Sequence, residues 1–341
     1  MKKSIILIFS IITSSIYSQK TKSENLSFTK FTSKCFNAWE LVSNEIYKIN
    51  TLKPTDFLLF DDKYLYTTSI ISGKDGKIIK GPNLLGQKNV WRKKEHNGKL
   101  ILPDGQERKV EVMAFTYSLS GQKAKSFFVM PILDFWISHK VDDHGIGLDR
   151  LTTGVFVHEF CHSQQFEDGY NGMENGAFDK YFTAHENEVF MDDIMQDIYE
   201  KDSVYTKEYE KELNLFTVAF QAKTKTEMKI LAKDAIRALE ERQKRILLED
   251  KRDLAEIDNY WLTIEGVAQF SSFQYLINPK GGKLSTEEAL KSLKTASWSQ
   301  EEGFAIVYLF SKLSEPKDWS QKMFRSKTIN IIDLLKKEIE K

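Results

Sequence analysis

The stretch TTGVFVHEFCHSQQFEDGY, residues 152–170, carries two of the chain's 6 histidines. His158 and His162 stand four apart, with Glu159 directly after the first. On a helix, positions i and i+4 are neighbours on one face. Two imidazoles so placed can ligate a single tetrahedral Zn²⁺ ion. Glu159 then lies about 100° further round the helix, given roughly 3.6 residues per turn, and is a base rather than a ligand. Zinc lowers the pKa of a coordinated water to about 7, so a carboxylate beside it can accept its proton near neutral pH. Val155, Phe156, Val157 and Phe160 surround the motif, which predicts a buried helix. Two imidazoles and a carboxylate buried there without a metal would cost several kcal/mol. Gly154, one turn before His158, is expected to leave room beside the ion.

A catalytic zinc site needs a third protein ligand and one open position. Two acids downstream compete for it. Glu265 sits in YWLTIEGVAQF, among Leu262, Ile264, Val267 and Phe270, where a lone acid needs a cationic partner. Glu188 sits in AHENEVFMDD, with Asp192 placed to orient a ligand histidine from behind. Glu265 is favoured for its apolar surroundings. Cys161, between the two histidines, points off their shared face and reads as a small packed hydrophobe. The chain's 2 cysteines, Cys35 and Cys161, make a poor disulfide framework, and a bond between them stays open.

The H-E-x-x-H motif followed by a helical glutamate resembles the gluzincin group of zinc metallopeptidases. WLTIEGVAQF looks like the W-L-x-E-G-x-A ligand segment of zinc aminopeptidases and secreted bacterial peptidases of that clan, with one extra residue after Leu262. That resemblance implies Glu265 as third ligand. NEVFMD, 187–192, resembles instead the N-E-x-x-x-D segment of thermolysin-like enzymes, which implies Glu188 with Asp192 behind it. Both intervals from His162 are longer than in those families, so residues 171–257 would be a helical insertion if Glu265 is the ligand. The resemblance covers the 154–166 helix and about ten residues elsewhere, and implies a zincin-like fold. It also implies an edge strand that holds an extended substrate beside the metal helix, a place that KSFFVMPILDFWIS, 125–138, could fill unless it is an interior strand. A second electrophile should stabilise the oxyanion; Tyr260, Tyr275, Tyr308, His139, His144 and His185 are candidates without a ranking.

The elements that must position these residues follow from periodicity. Phe36, Trp39, Val42 and Ile46 recur at helical spacing within 28–49. Residues 57–137 are rich in β-branched and aromatic residues, with turn signals at GKDGK, HNGK, PDGQ and SGQK. Helices are predicted over 149–166 with Asp149 as N-cap, then over 178–200, 204–221, 226–257 and 259–276, with two more in WSQEEGFAIVYLFSKL and TINIIDLLKKEIEK. The expected class is α+β: an antiparallel β-rich portion, 20–145, followed by a mostly helical portion, 146–341, carrying the metal helix. Whether these are one domain or two packed halves is left open.

Composition bounds the function. Lys+Arg and Asp+Glu both number 49, so a nucleic-acid or anionic-membrane partner is not expected. Lys2, Lys3, the apolar run SIILIFSIITSSI and Ser18 predict a cleaved signal peptide over 1–19 and an exported protein. The reading is a secreted or periplasmic hydrolase with one Zn²⁺ per chain, a metallopeptidase acting on peptide or protein. Its rivals are a non-catalytic binding protein on the same scaffold and a non-peptide metallohydrolase.

Overall fold

A computed structural model describes residues 26–50, 52–119, 121–166, 172–173, 192–250, 254–294, 297–325 and 327–341. For 172–173 and 246–250 only the backbone is described. The leading segment 1–19 lies outside these residues, as does most of the helix expected over 178–200.

The chain opens with α1, 26–41, whose Phe28, Phe31, Cys35, Phe36 and Trp39 are buried along one stripe at helical spacing. It continues into a π-helical turn, Val42–Tyr47, closed by Lys48 in the left-handed region. Eight strands follow: β1 Thr55–Phe60, β2 Tyr64–Thr67, β3 Lys77–Ile79, β4 Trp91–Glu95, β5 Lys99–Ile101, β6 Glu107–Lys109, β7 Phe115–Ser118 and β8 Ser126–Pro131. Six of them form one sheet in the order β3-β4-β2-β1-β8-β7, while β5 and β6 pair as a separate hairpin. The sheet is not wholly antiparallel as expected, because β1 and β8 run parallel, with Leu58 opposite Val129. A parallel pair needs a long crossover, and the intervening strands supply it.

Alternation gives the sheet two buried faces. Phe57, Leu59, Phe128 and Met130 point into the large core beneath the helices. Leu58, Phe60, Phe127 and Val129 point the other way, against Leu100, Leu102 and Leu119. This corrects the expectation for 125–138. The strand stops at Pro131, and Leu133–Ser138 is a short helix, α2. β8 is buried along its whole length between β1 and β7, so the edge beside the helices is β7. A run that is apolar at every position is the mark of an interior strand.

The helical portion comprises α3 Leu148–Gln165, α4 Ile194–Tyr199, α5 Ser203–Gln221, α6 Lys225–Asp250, α7 Leu254–Ile277, α8 Thr286–Ser292, α9 Trp298–Leu313, α10 Pro316–Trp319 and α11 Ile331–Glu340. A two-residue pairing joins β9, Gly172–Met173, to β10, Lys327–Thr328. The cap of α3 is Gly147 at φ 88° rather than Asp149, whose carboxylate instead pairs with Lys34. The helix expected over 226–257 is described as α6 as far as Asp250, and residues from Leu254 on are described as α7, with 251–253 outside the described residues. One core cluster runs from Phe28 to Ile339 through both portions.

α7 is buried on nearly every side and packs on α3, α6 and α9. Two glycine contacts set its distance from its neighbours. A Cβ on Gly266 would lie 2.4 Å from the Gly303 carbonyl oxygen, and one on Gly303 would lie 2.5 Å from the Leu262 carbonyl oxygen. A Cβ on Gly154 of α3 would lie 2.9 Å from Ser272 Oγ of α7. Gly154 therefore serves the approach of the two helices, and the room it leaves is filled by Ser272.

Behind α7, Arg242 is buried with three carboxylates. It bonds both oxygens of Glu212 at 2.8 and 2.9 Å, and lies 3.2 Å from Asp258 and 3.1 Å from Glu302. Burial and the neighbouring Glu212 push Glu302 well above the usual carboxylate range. One guanidinium thus joins four helices. Replacing Arg242 with Leu leaves those acids without their cation and should cost about 3–5 kcal/mol. Chemical denaturation checks this; a loss under about 1 kcal/mol would contradict it.

Candidate metal centre

α3 and α7 carry the site on facing surfaces. His158 and His162 are each 8 % exposed and Glu265 is 4 % exposed. His158 Nε2 lies 3.2 Å from Glu265 Oε2, and His162 Nε2 lies 3.2 Å from Glu265 Oε1. The two Nε2 atoms are 3.2 Å apart. One ligand atom from each residue can be chosen so that all lie within 4.8 Å of one another. Tetrahedral bonds of about 2.0–2.1 Å would set ligand atoms about 3.3 Å apart, so these separations are those of a zinc-sized ion's ligands. Glu265 Oε2 is buried and makes no hydrogen bond in good geometry. A buried carboxylate whose two oxygens each face an imidazole nitrogen calls for a cation.

Each imidazole is held at its far nitrogen. His158 Nδ1 is 3.0 Å from Gln269 Oε1, and His162 Nδ1 is 3.0 Å from Gln165 Oε1. Neither glutamine was singled out in the sequence. Both are polar residues on otherwise buried helical faces, Gln269 one turn beyond Glu265 and Gln165 three after His162, and that is the signal that could have found them. Asp192, expected behind a ligand histidine, is half-buried and near enough to raise Glu159 and His162, but the Nδ1 positions belong to the glutamines. Burial, then the charge of Glu265, pushes Asp192 up to about 6.

Glu159 is half-buried beside the ligands. Burial pushes its carboxyl up to about 8; His158 lowers it, Glu265 and Asp192 raise it, and a hydrogen bond from the Thr116 backbone lowers it. Thr116 of β7 also donates its hydroxyl to the Glu159 carbonyl at 2.6 Å, which ties the motif to the sheet edge. Cys161 is a free, buried thiol, pushed up to about 12 by burial and touched by Ser271 Oγ at 3.4 Å. Cys35 is likewise free and buried, so the two are not bonded to each other.

The structure thus brings together His158, Glu159, His162 and Glu265. Glu188, the competing acid, lies outside the described residues, as does His185. Of the other oxyanion candidates, His139 stacks on Phe135 with ring centroids 3.9 Å apart, and His144 is exposed in a left-handed turn. Tyr275 and Tyr308 pack into the large core, and Tyr260 into a smaller one. Among the described residues no helix is long and apolar enough to cross a membrane. In comparisons with known proteins, no family model, no curated protein and no solved structure matches this chain.

The metal-free pair has a defined pH signature. Burial acts to raise Glu265, but the imidazoles, His162 foremost, outweigh it and hold the carboxyl well below its ordinary 4.5. Burial acts to lower His162, but Glu265 outweighs it and raises the imidazole above its ordinary 6.5. The lowered acid stabilises the fold above 4.5 and loses that contribution as pH falls through its depressed value. The raised histidine stabilises below 6.5 and loses its contribution as pH rises through its elevated value. With chelator present, the stability difference between the wild-type chain and Glu265→Gln should be greatest between 4.5 and 6.5 and shrink above that window. Denaturant titrations across pH test it; a difference that grows with alkalinity would refute the pairing. Glu265→Gln should also weaken Zn²⁺ binding by more than about 100-fold, beyond what loss of a supporting residue costs, as read by competition with a fluorescent chelator.

Proposed function

We propose that this chain is an exported zinc-dependent hydrolase, a metallopeptidase on a zincin-like fold. The observation that carries the reading is the mutual 3.2 Å spacing of His158, His162 and Glu265, with a further carboxylate, Glu159, on the helix of the two histidines. Bound there, zinc would supply a Lewis acid and lower the pKa of water to about 7.

The chain's own residues do the remainder. His158, His162 and Glu265 would hold the ion. Glu159 accepts the proton of the attacking water and passes it to the leaving amine. In the metal-free protein burial pushes its carboxyl up to about 8. With a dication bound beside it, Glu159 would favour its charged form, the form that serves as a base. Among the described residues β7 is the terminal strand of the sheet, and it takes the role that the sequence offered to 125–138. An extended peptide can lie along that side as a further strand, with Thr116 linking it to Glu159.

Purified protein should hold about one zinc per chain. Glu159→Gln should keep that metal and lose turnover about 10²- to 10⁴-fold, the usual contribution of a positioned general base. Metal analysis paired with digestion of a mixed peptide library, with and without chelator, is the test. Metal-free folded protein would overturn the site. Zinc-loaded protein without chelator-sensitive cleavage would favour a binding protein or a non-peptide hydrolase.

A further inference from the structure

The β5–β6 hairpin covers the face of the sheet turned away from the helices, where Leu100 and Leu102 cluster with Leu65 and Phe127. Between the hairpin, β2 and β4 lies a groove of about 450 Å³. Small-molecule sites run from roughly 300 to 1,000 Å³, with mostly apolar walls and a few convergent polar groups. Here Leu65, Leu100 and Ile101 supply an aliphatic wall, and among the described residues no Phe, Tyr or Trp lines it.

Most charged and titratable groups along the groove are already matched. Glu95 pairs with Lys63 at 3.3 Å, and Glu107 pairs with Lys99. Both ring nitrogens of His96 are taken: Nε2 meets the Asp61 carbonyl at 2.8 Å, and Nδ1 accepts from the Gly98 N–H at 3.2 Å. Three lining groups are left over. Among the described residues the half-buried Lys94 ammonium has no carboxylate partner, and the exposed Asn97 amide has no hydrogen bond. Ser72, in the turn after β2, is only 2 % exposed, and its hydroxyl is buried without any hydrogen bond. Buried hydroxyls nearly always have a partner, so this one marks a place where a polar group belongs.

The leftover groups define the ligand. One unmatched positive charge beside an amide and a hydroxyl, all able to donate, suits a single negative charge spread over two oxygens. A phosphate dianion would bring a second charge, which the nearby Glu95 and Glu107 oppose. A flat aromatic ligand would find no ring to stack on. We propose that this groove is a binding site for a medium-chain alkyl carboxylate, with its carboxylate on Lys94, Asn97 and Ser72 and its chain along Leu65, Leu100 and Ile101. The site lies on the far face of the sheet from α3 and α7 and owes nothing to the metal centre.

The probe is sodium octanoate, titrated calorimetrically into the whole protein with and without chelator. Saturable binding is expected with a Kd below about 1 mM, the same in both conditions. Lys94→Gln keeps the side-chain length and removes the charge, and should weaken binding about 10- to 100-fold, the usual worth of a hydrogen bond to a charged group. Ile101→Asp, at a position 40 % exposed, should abolish it without disturbing the core. 1-Octanol, which has the chain and no charge, should bind as poorly to wild type as octanoate does to Lys94→Gln. Octanoate that fails to saturate, or that binds Lys94→Gln or Ile101→Asp as tightly as wild type, would overturn the proposal. So would octanol matching octanoate, or octyl phosphate binding more tightly. Octanoate binding that disappears with chelator would place the carboxylate on a metal, overturning this site while supporting the metal centre. Loss of zinc affinity in Glu265→Gln leaves the expected octanoate result unchanged, so the two readings fail separately.

Discussion

The close approach of α7 to its neighbours is the constraint on which the site depends. Glu265 can stand between two imidazoles only because α3 and α7 meet at Gly154 and Ser272. α7 is held from behind by the backbone contact of Gly266 with Gly303. A methyl group at Gly266 would drive into a carbonyl oxygen, which cannot be moved without moving α9. Helices packed through larger side chains stand roughly 8–10 Å apart, and at the far end of that range the carboxylate would fall short of the histidines. The glycines are as much part of the metal centre as its ligands, although they touch no ion.

Around that contact the polar groups are arranged by element. α3 supplies two imidazoles, a carboxylate and Gln165; α7 supplies the facing carboxylate and, one turn on, Gln269. Leu293, just past α8, accepts from Gln269 Nε2 through its backbone carbonyl, and β7 contributes one threonine. The site is assembled from four elements far apart in sequence, which is the usual condition for a site held rigidly by a scaffold. The Arg242 network lies behind the same helix through Asp258, so α7 is held by packing on one side and by charge on the other.

The ligands were legible in the sequence because metal chemistry restricts residue type and spacing together. His158, Glu159 and His162 follow one helical turn, and Glu265 stood out as an acid amid Leu262, Ile264, Val267 and Phe270. Most helix spans were legible for a similar reason, since an apolar stripe repeats locally. What escaped was the information that lives between elements. Whether 125–138 was an edge or an interior strand depends on strand order, which no local pattern encodes. The parallel pairing of β1 with β8 is non-local in the same way. Gln165 and Gln269 left no motif because an amide can hold a histidine from many spacings. Asp149 looked like a helix cap by type, but Gly147 could adopt the left-handed turn that the chain needed there.

The large core also joins the two ends of the described chain. Trp39 of α1 meets Phe324 with ring centroids 6.2 Å apart, and the Ser320 hydroxyl bonds the Tyr47 carbonyl at 2.7 Å. Ile331, Leu335 and Ile339 of α11 belong to the same cluster as Phe28 and Phe36. Contacts spanning nearly 300 residues must wait for the last helix to leave the ribosome, and pairings so distant in sequence form slowly. Until then α1 has an apolar stripe with only part of its cover. The chain therefore spends its synthesis with its core unfinished.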